Sequence, residues 1–202
     1  MKYLKNIRYN SPVILSFVFL SLGALILGTI TKGLTNRMFF SVYRSSLLNP
    51  FTYIRLFGHV LGHSDLQHFM GNMTYILLLG PIIEEKYTSK NLLEMIGITA
   101  VVTGLVNMIF FDSALLGASG IAFMFIILSS ITGIKDGEIP LTLIIVVIFF
   151  LGQQVIQGIT QHDNISQLTH IIGGVLGIVF GLMLNKDEEA STSPHQDGLP
   201  GL

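Results

Sequence analysis

The 202-residue chain has no cysteine and no tryptophan, and only 11% of its residues are charged. Without cysteine, a disulfide framework, a thiolate metal centre and a cysteine nucleophile are excluded. Without tryptophan, tyrosine is the remaining aromatic with a polar tip suited to a membrane–water boundary. An ordinary soluble domain carries about 25% charged residues, so this chain has too little charge to cover a water-facing surface. Its net charge of -1 provides no basic stripe to release counterions, and nucleic acid is not an expected partner. What the chain does have is apolar: 50% of its residues are hydrophobic and 21 are glycine, a composition suited to helices that pack closely in lipid.

Crossing the hydrocarbon core takes about 20 mostly apolar residues, and six runs meet that need: 13–30, 63–83, 92–111, 115–134, 141–159 and 168–184. The expected fold is an all-α membrane protein, a bundle of six transmembrane helices over 13–184. A cytoplasmic segment, 1–12, precedes it, and a polar tail, 185–202, is expected to be disordered. The first run follows Lys2, Lys5 and Arg8 and so has the look of a secretory signal. It is longer than the roughly 7–15 apolar residues of such a signal, and no A-x-A-like cleavage site follows. The spread of Lys and Arg near the span ends favours both termini in the cytoplasm of a cell-membrane protein. Residues 32–58 mix Arg37, Arg44 and Arg55 with Phe39, Phe40, Tyr43 and Phe51. They read equally as an amphipathic segment lying in the interface or as an ordered loop.

Polar groups inside apolar spans cost several kcal/mol unless they are paired, so they mark function. They gather in three places: His59, His63, His68 and Asn72 around the start of the second span, Gly117-Ala118-Ser119-Gly120 in the fourth, and His170 in the sixth. His68 and Asn72 are four residues apart and share a helix face. His170, Gly173, Gly177 and Gly181 form one stripe of small residues, the pattern that lets two membrane helices touch. If that stripe meets the fourth span, Ser119 and His170 come within reach of each other. A serine hydroxyl becomes nucleophilic when imidazole takes its proton, and the resulting oxyanion needs donors already in place. Asn72, His68 and the Ser119 backbone N–H are the candidates. Singly, each has a plainer reading. Ser119 could bond a carbonyl of its own helix, and a buried histidine could simply have its two nitrogens satisfied.

In this order the motifs resemble those of the rhomboid intramembrane proteases. His-x-x-x-Asn is matched by His68 and Asn72, Gly-x-Ser-Gly by Gly117 to Gly120, and His-x-x-Gly-x-x-x-Gly by His170, Gly173 and Gly177, with Arg55 and Glu84 at further family positions. The resemblance implies a serine endopeptidase with Ser119 as nucleophile, His170 as general base, and His68 and Asn72 around the oxyanion. Gly117, Gly120, Phe123, Gly173 and Gly177 would be supporting residues. Its substrates would be transmembrane segments of other proteins in the lipid bilayer, with no cofactor and no metal. Two positions depart from the family pattern: Ile54 replaces a tryptophan, and Phe123 stands where many members have a tyrosine stacked on the catalytic imidazole. A phenyl ring can still stack. His59 and His63 are expected to be structural or solvating. Three competing readings are a non-catalytic rhomboid-like binder of membrane proteins, a b-type haem anchor using His63 or His68 with His170, and a small-molecule transporter. A zinc protease would need HExxH, and the nearest string is HVLGH.

Overall fold

The computed structural model describes residues 9–131, 138–153, 155–156 and 165–192. The expectations for residues 1–8 and 193–202 lie outside the described residues. Helix α1 is Pro12–Ile30 and opens with proline at its first position, where a missing N–H costs nothing. A π-helical turn, Asn36–Phe40, and a short helix α2, Pro50–Gly58, follow. The segment between the first two spans is therefore ordered, with the Asn49 side chain capping α2 by accepting from the Phe51 N–H. Helix α3, Leu66–Phe110, has 45 residues. At 1.5 Å per residue it is about twice as long as a bilayer core needs. It is two passes: Thr88 (φ 73, ψ 153) breaks it into arms of residues 66–87 and 89–110. Helix α4 is Ser119–Ile131. Helix α5, Leu141–Val146, runs into a π-helical turn at Val147–Leu151, and α6 is Ile165–Thr192.

These elements give the six helical passes of an integral membrane protein. Their outer faces are apolar: Phe19, Leu20, Ile30, Leu78, Ile109 and Phe110 are all at least 60% exposed. So continuous an apolar exterior is suited to lipid and not to water. The interior is packed by Ile14, Ile76, Ile83, Leu92, Ile121, Phe125 and Leu128 from α1, both arms of α3, and α4. Several boundaries differ from the sequence reading, among them those of the fourth and sixth helices. The fourth helix begins at Ser119 and not near 115, because residues 111–118 run without helix. The sixth continues to Thr192, past the expected end at Leu184. Its extension contains Lys186, Glu188, Glu189 and Ala190, all good helix formers.

A carboxylate ties the first helix to the second pass. Buried Glu84 accepts from the Val13 and Ile14 N–H groups at 3.0 and 3.1 Å and from the Ser89 hydroxyl at 2.6 Å. It satisfies two of the unpaired donors that open α1 and places negative charge at the positive end of that helix. Glu84→Ala is expected to destabilise the protein by roughly 1.5–3 kcal/mol, the range for hydrogen bonds to a charged group. Exposed Glu85→Ala should change little. Thermal unfolding in detergent measures both, and equal effects would remove this role from Glu84.

Candidate active site

The first turn of α3 is fixed by its cap. Asp65 accepts from the His68 N–H at 2.8 Å and from the Ser64 hydroxyl at 2.7 Å. Those two bonds hold its carboxyl below the usual carboxylate range. The capped turn sets His68 half-buried and Asn72 buried on the same face, one turn apart. His68 Nδ1 lies 3.2 Å from Ser64 Oγ.

The non-helical stretch before α4 carries Gly117 to these two side chains. It is held mostly through main-chain groups. Val42 and Leu115 exchange both N–H···O bonds at 2.9 Å. The Gly117 N–H donates to the His59 carbonyl at 2.9 Å, and buried Asn107 donates to the carbonyls of Val42 and Ser113 at 3.2 and 3.0 Å. Gly117 has φ 133, a backbone that side chains rarely allow. A Cβ there would lie 2.8 Å from His68 Nε2 and 3.7 Å from Asn72 Nδ2. Glycine thus lets the main chain just ahead of Ser119 lie directly against the His68 and Asn72 side chains.

Helix α6 meets α4 along its glycines. A Cβ on Gly173 would collide with the Gly120 carbonyl oxygen. One on Gly177 would sit 2.6 Å from the Met124 carbonyl oxygen, and one on Gly181 would sit 2.6 Å from the Ile131 side chain. The stripe read from sequence therefore seats on the fourth pass, backbone against side chain or backbone. His170 lies one turn before Gly173, and Ser119 directly precedes Gly120. Phe123, one turn after Ser119, stacks flat on the His170 ring, with centroids 4.3 Å apart and planes 4° from parallel. Ser119, His68 and His170 are each half-buried.

Gly120 serves the helix contact, with Gly173 seated on it and Thr169 beside it. Neither His59 nor His63 solvates the site, since both are buried. His59 joins the loop to α3, its Nδ1 facing the Leu56 carbonyl at 3.1 Å and its Nε2 facing Thr103 Oγ1 at 3.3 Å. His63 Nε2 lies 3.1 Å from Asn72 Nδ2. The His-x-x-x-His spacing was the only signal for these roles, and it does not say which neighbour each ring meets. Among the described residues no group of three or more metal-binding side chains could hold an ion.

A search of curated proteins finds no match for this chain. The family model described as the Rhomboid domain matches residues 50–187. That range takes in the capped start of α3, the glycine-bounded start of α4 and the glycine stripe of α6, and the chain belongs to the rhomboid family.

Proposed function

We propose that this protein is an intramembrane serine endopeptidase that cuts transmembrane segments of other membrane proteins with a dyad of Ser119 and His170. One observation carries the reading. At the start of α4, Ser119 stands beside the α6 contact that bears His170, whose ring is stacked on Phe123, while His68 and Asn72 press on Gly117. In the first step Ser119 Oγ attacks the scissile carbonyl and its proton passes to His170. The oxyanion forms beside Asn72, His68 and the Ser119 N–H. His170 then returns the proton to the leaving amine as the peptide bond breaks. Water, deprotonated in turn by His170, cleaves the acyl-enzyme and frees the second fragment. No cofactor is required for any step.

A helical peptide bond is shielded by its own turn, so a substrate has to unwind locally before Ser119 reaches its carbonyl. The cut would take place on the side of the bilayer away from the termini, both of which we place in the cytoplasm. Detergent-purified protein and a transmembrane substrate test the reading. Cleavage by the parent and none by Ser119→Ala supports it; equal cleavage by both overturns it, and binding without cleavage by the parent, with no fluorophosphonate labelling of Ser119, would favour a non-catalytic binder.

The flat Phe123 contact fixes the plane of the base. A stacked aromatic pair is worth about 0.5–1.5 kcal/mol beyond its buried area. Phe123→Ala should therefore lower kcat by roughly 2- to 10-fold with little change in KM, and Phe123→Tyr should keep parental kcat. A rise in KM alone, or equal losses in both variants, would detach the stack from catalysis.

A further inference from the structure

Buried His63 has no part in the chemistry above, yet its ring touches a residue that does. Its Nδ1 lies 3.1 Å from the Leu61 carbonyl oxygen and its Nε2 lies 3.1 Å from Asn72 Nδ2. A carbonyl oxygen can only accept, so the Nδ1 must carry the proton. In the neutral ring Nε2 is then a lone pair, and the group facing it must donate. That fixes the Asn72 carboxamide with its NH2 toward His63, and the second N–H of the same NH2 is left for the space beside Gly117. The reversed amide would place oxygen against a ring lone pair. The Asn36 side chain holds the His63 carbonyl at 3.2 Å, and the rings of His68 and Phe69 pack on the imidazole at 5.1 and 5.4 Å. The ring is therefore fixed on every side.

We infer that His63 is a positioning residue that locks the Asn72 amide with its N–H directed at the oxyanion. The inference rests on the protease reading and assigns the amide's orientation to a residue outside the dyad. His68 cannot supply that orientation. Its Nδ1 faces Ser64 Oγ, whose own proton goes to Asp65 at 2.7 Å. Nδ1 is thus the donor, and a neutral His68 turns a lone pair toward Gly117. Asn72 is the side-chain donor that needs no protonation. His63 is buried and its Nδ1 is held on the Leu61 carbonyl, so its Nε2 serves as the acceptor.

The test is a double-mutant cycle on cleavage of a transmembrane substrate, with histidine NMR on the parent. Asn72→Ala should lower kcat by roughly 10²- to 10³-fold. His63→Leu should lower kcat by at least about 10-fold with KM within about 2-fold, because a misdirected donor is missed in the transition state and not in binding. His63→Leu added to Asn72→Ala should cost no more than about 2-fold further. His63→Gln, whose carboxamide oxygen can accept where Nε2 does, should recover most of the loss. Nitrogen-15 spectra of histidine-labelled parent, assigned by the signal missing in His63→Gln, should show His63 protonated at Nδ1. Additive losses in the cycle, or a His63 protonated at Nε2, would overturn the inference. Ser119→Ala in the same assay separates the two ideas. If it still cuts, the protease reading fails while the tautomer still reports the Asn72 orientation. If it is dead and the losses add, the positioning role alone fails.

Discussion

Ser119→Ala should reduce turnover by roughly 10⁴- to 10⁶-fold, the range found when a serine nucleophile is removed from a site whose remaining parts are intact. The fold should tolerate it. Ser119 is the first residue of α4, is half-buried, and alanine removes one oxygen without opening a cavity. The effect belongs in kcat, since the substrate still binds and the oxyanion donors stay where they were. His170→Ala should fall nearly as far, and the double variant hardly further, because nucleophile and base act as one unit. Measuring all three at saturating substrate, beside their thermal unfolding in detergent, separates chemistry from folding. Turnover by Ser119→Ala within 10-fold of the parent would leave no place for a serine mechanism.

Gly173→Val should damage the protein in a different way, by driving α4 and α6 apart. The contact at this position is main chain against the Gly120 carbonyl, so no neighbouring rotamer can move aside. Overpacking of this kind costs about 1–3 kcal/mol or more, and valine adds two further methyls. The damage reaches the chemistry too, since His170 is one turn away on the same face. A misplacement of about 1 Å can lower rate by roughly 10²-fold. Gly173→Val is therefore expected to unfold earlier in detergent and, while folded, to cut roughly 10²-fold more slowly than the parent. Gly97→Ala provides the contrast, for a Cβ at Gly97 meets nothing within 4 Å. Its stability should be unchanged or higher by up to about 1 kcal/mol. Parental stability and rate in Gly173→Val would mean that the seam does not hold the dyad.

The sequence reading found the parts of this protein that follow from periodicity, and it failed where geometry comes from afar. The stripe of Gly173, Gly177 and Gly181 foretold a close helix contact but not its partner, and the contact lies on α4, the neighbour the sequence reading had raised only as a condition. The stacking of Phe123 on His170 was expected from the family resemblance, where an aromatic ring stands at that position, and the two rings do stack. Hydropathy could not tell helix from coil in Ala114–Ala118. That run is as apolar as a span, but the positive φ of Gly117 and the pairing of Leu115 with Val42 keep it extended. The break at Thr88 carries neither glycine nor proline, but it falls in the polar gap between the runs 63–83 and 92–111, where the sequence reading ended one span and began the next. Glu84 bonds α1 across 70 and 71 residues, and a charged residue near the end of an apolar run gives no hint of such a partner. His63 was assigned a bland role because spacing shows which residues share a neighbourhood and not which way an amide faces.

The stretch leading to Ser119 is anchored by Val42, Leu115, the His59 carbonyl and Asn107, and all but the last contribute peptide groups. Peptide groups are common to every residue except proline, which lacks the N–H. Side chains at these places can thus drift in identity over many generations, within the volume the core permits, while the path of the chain stays the same. Gly117 is the exception, because its backbone angle and its contact with His68 both exclude a Cβ. Kinship in this region would then survive as a shared trace of the main chain long after the letters had ceased to agree.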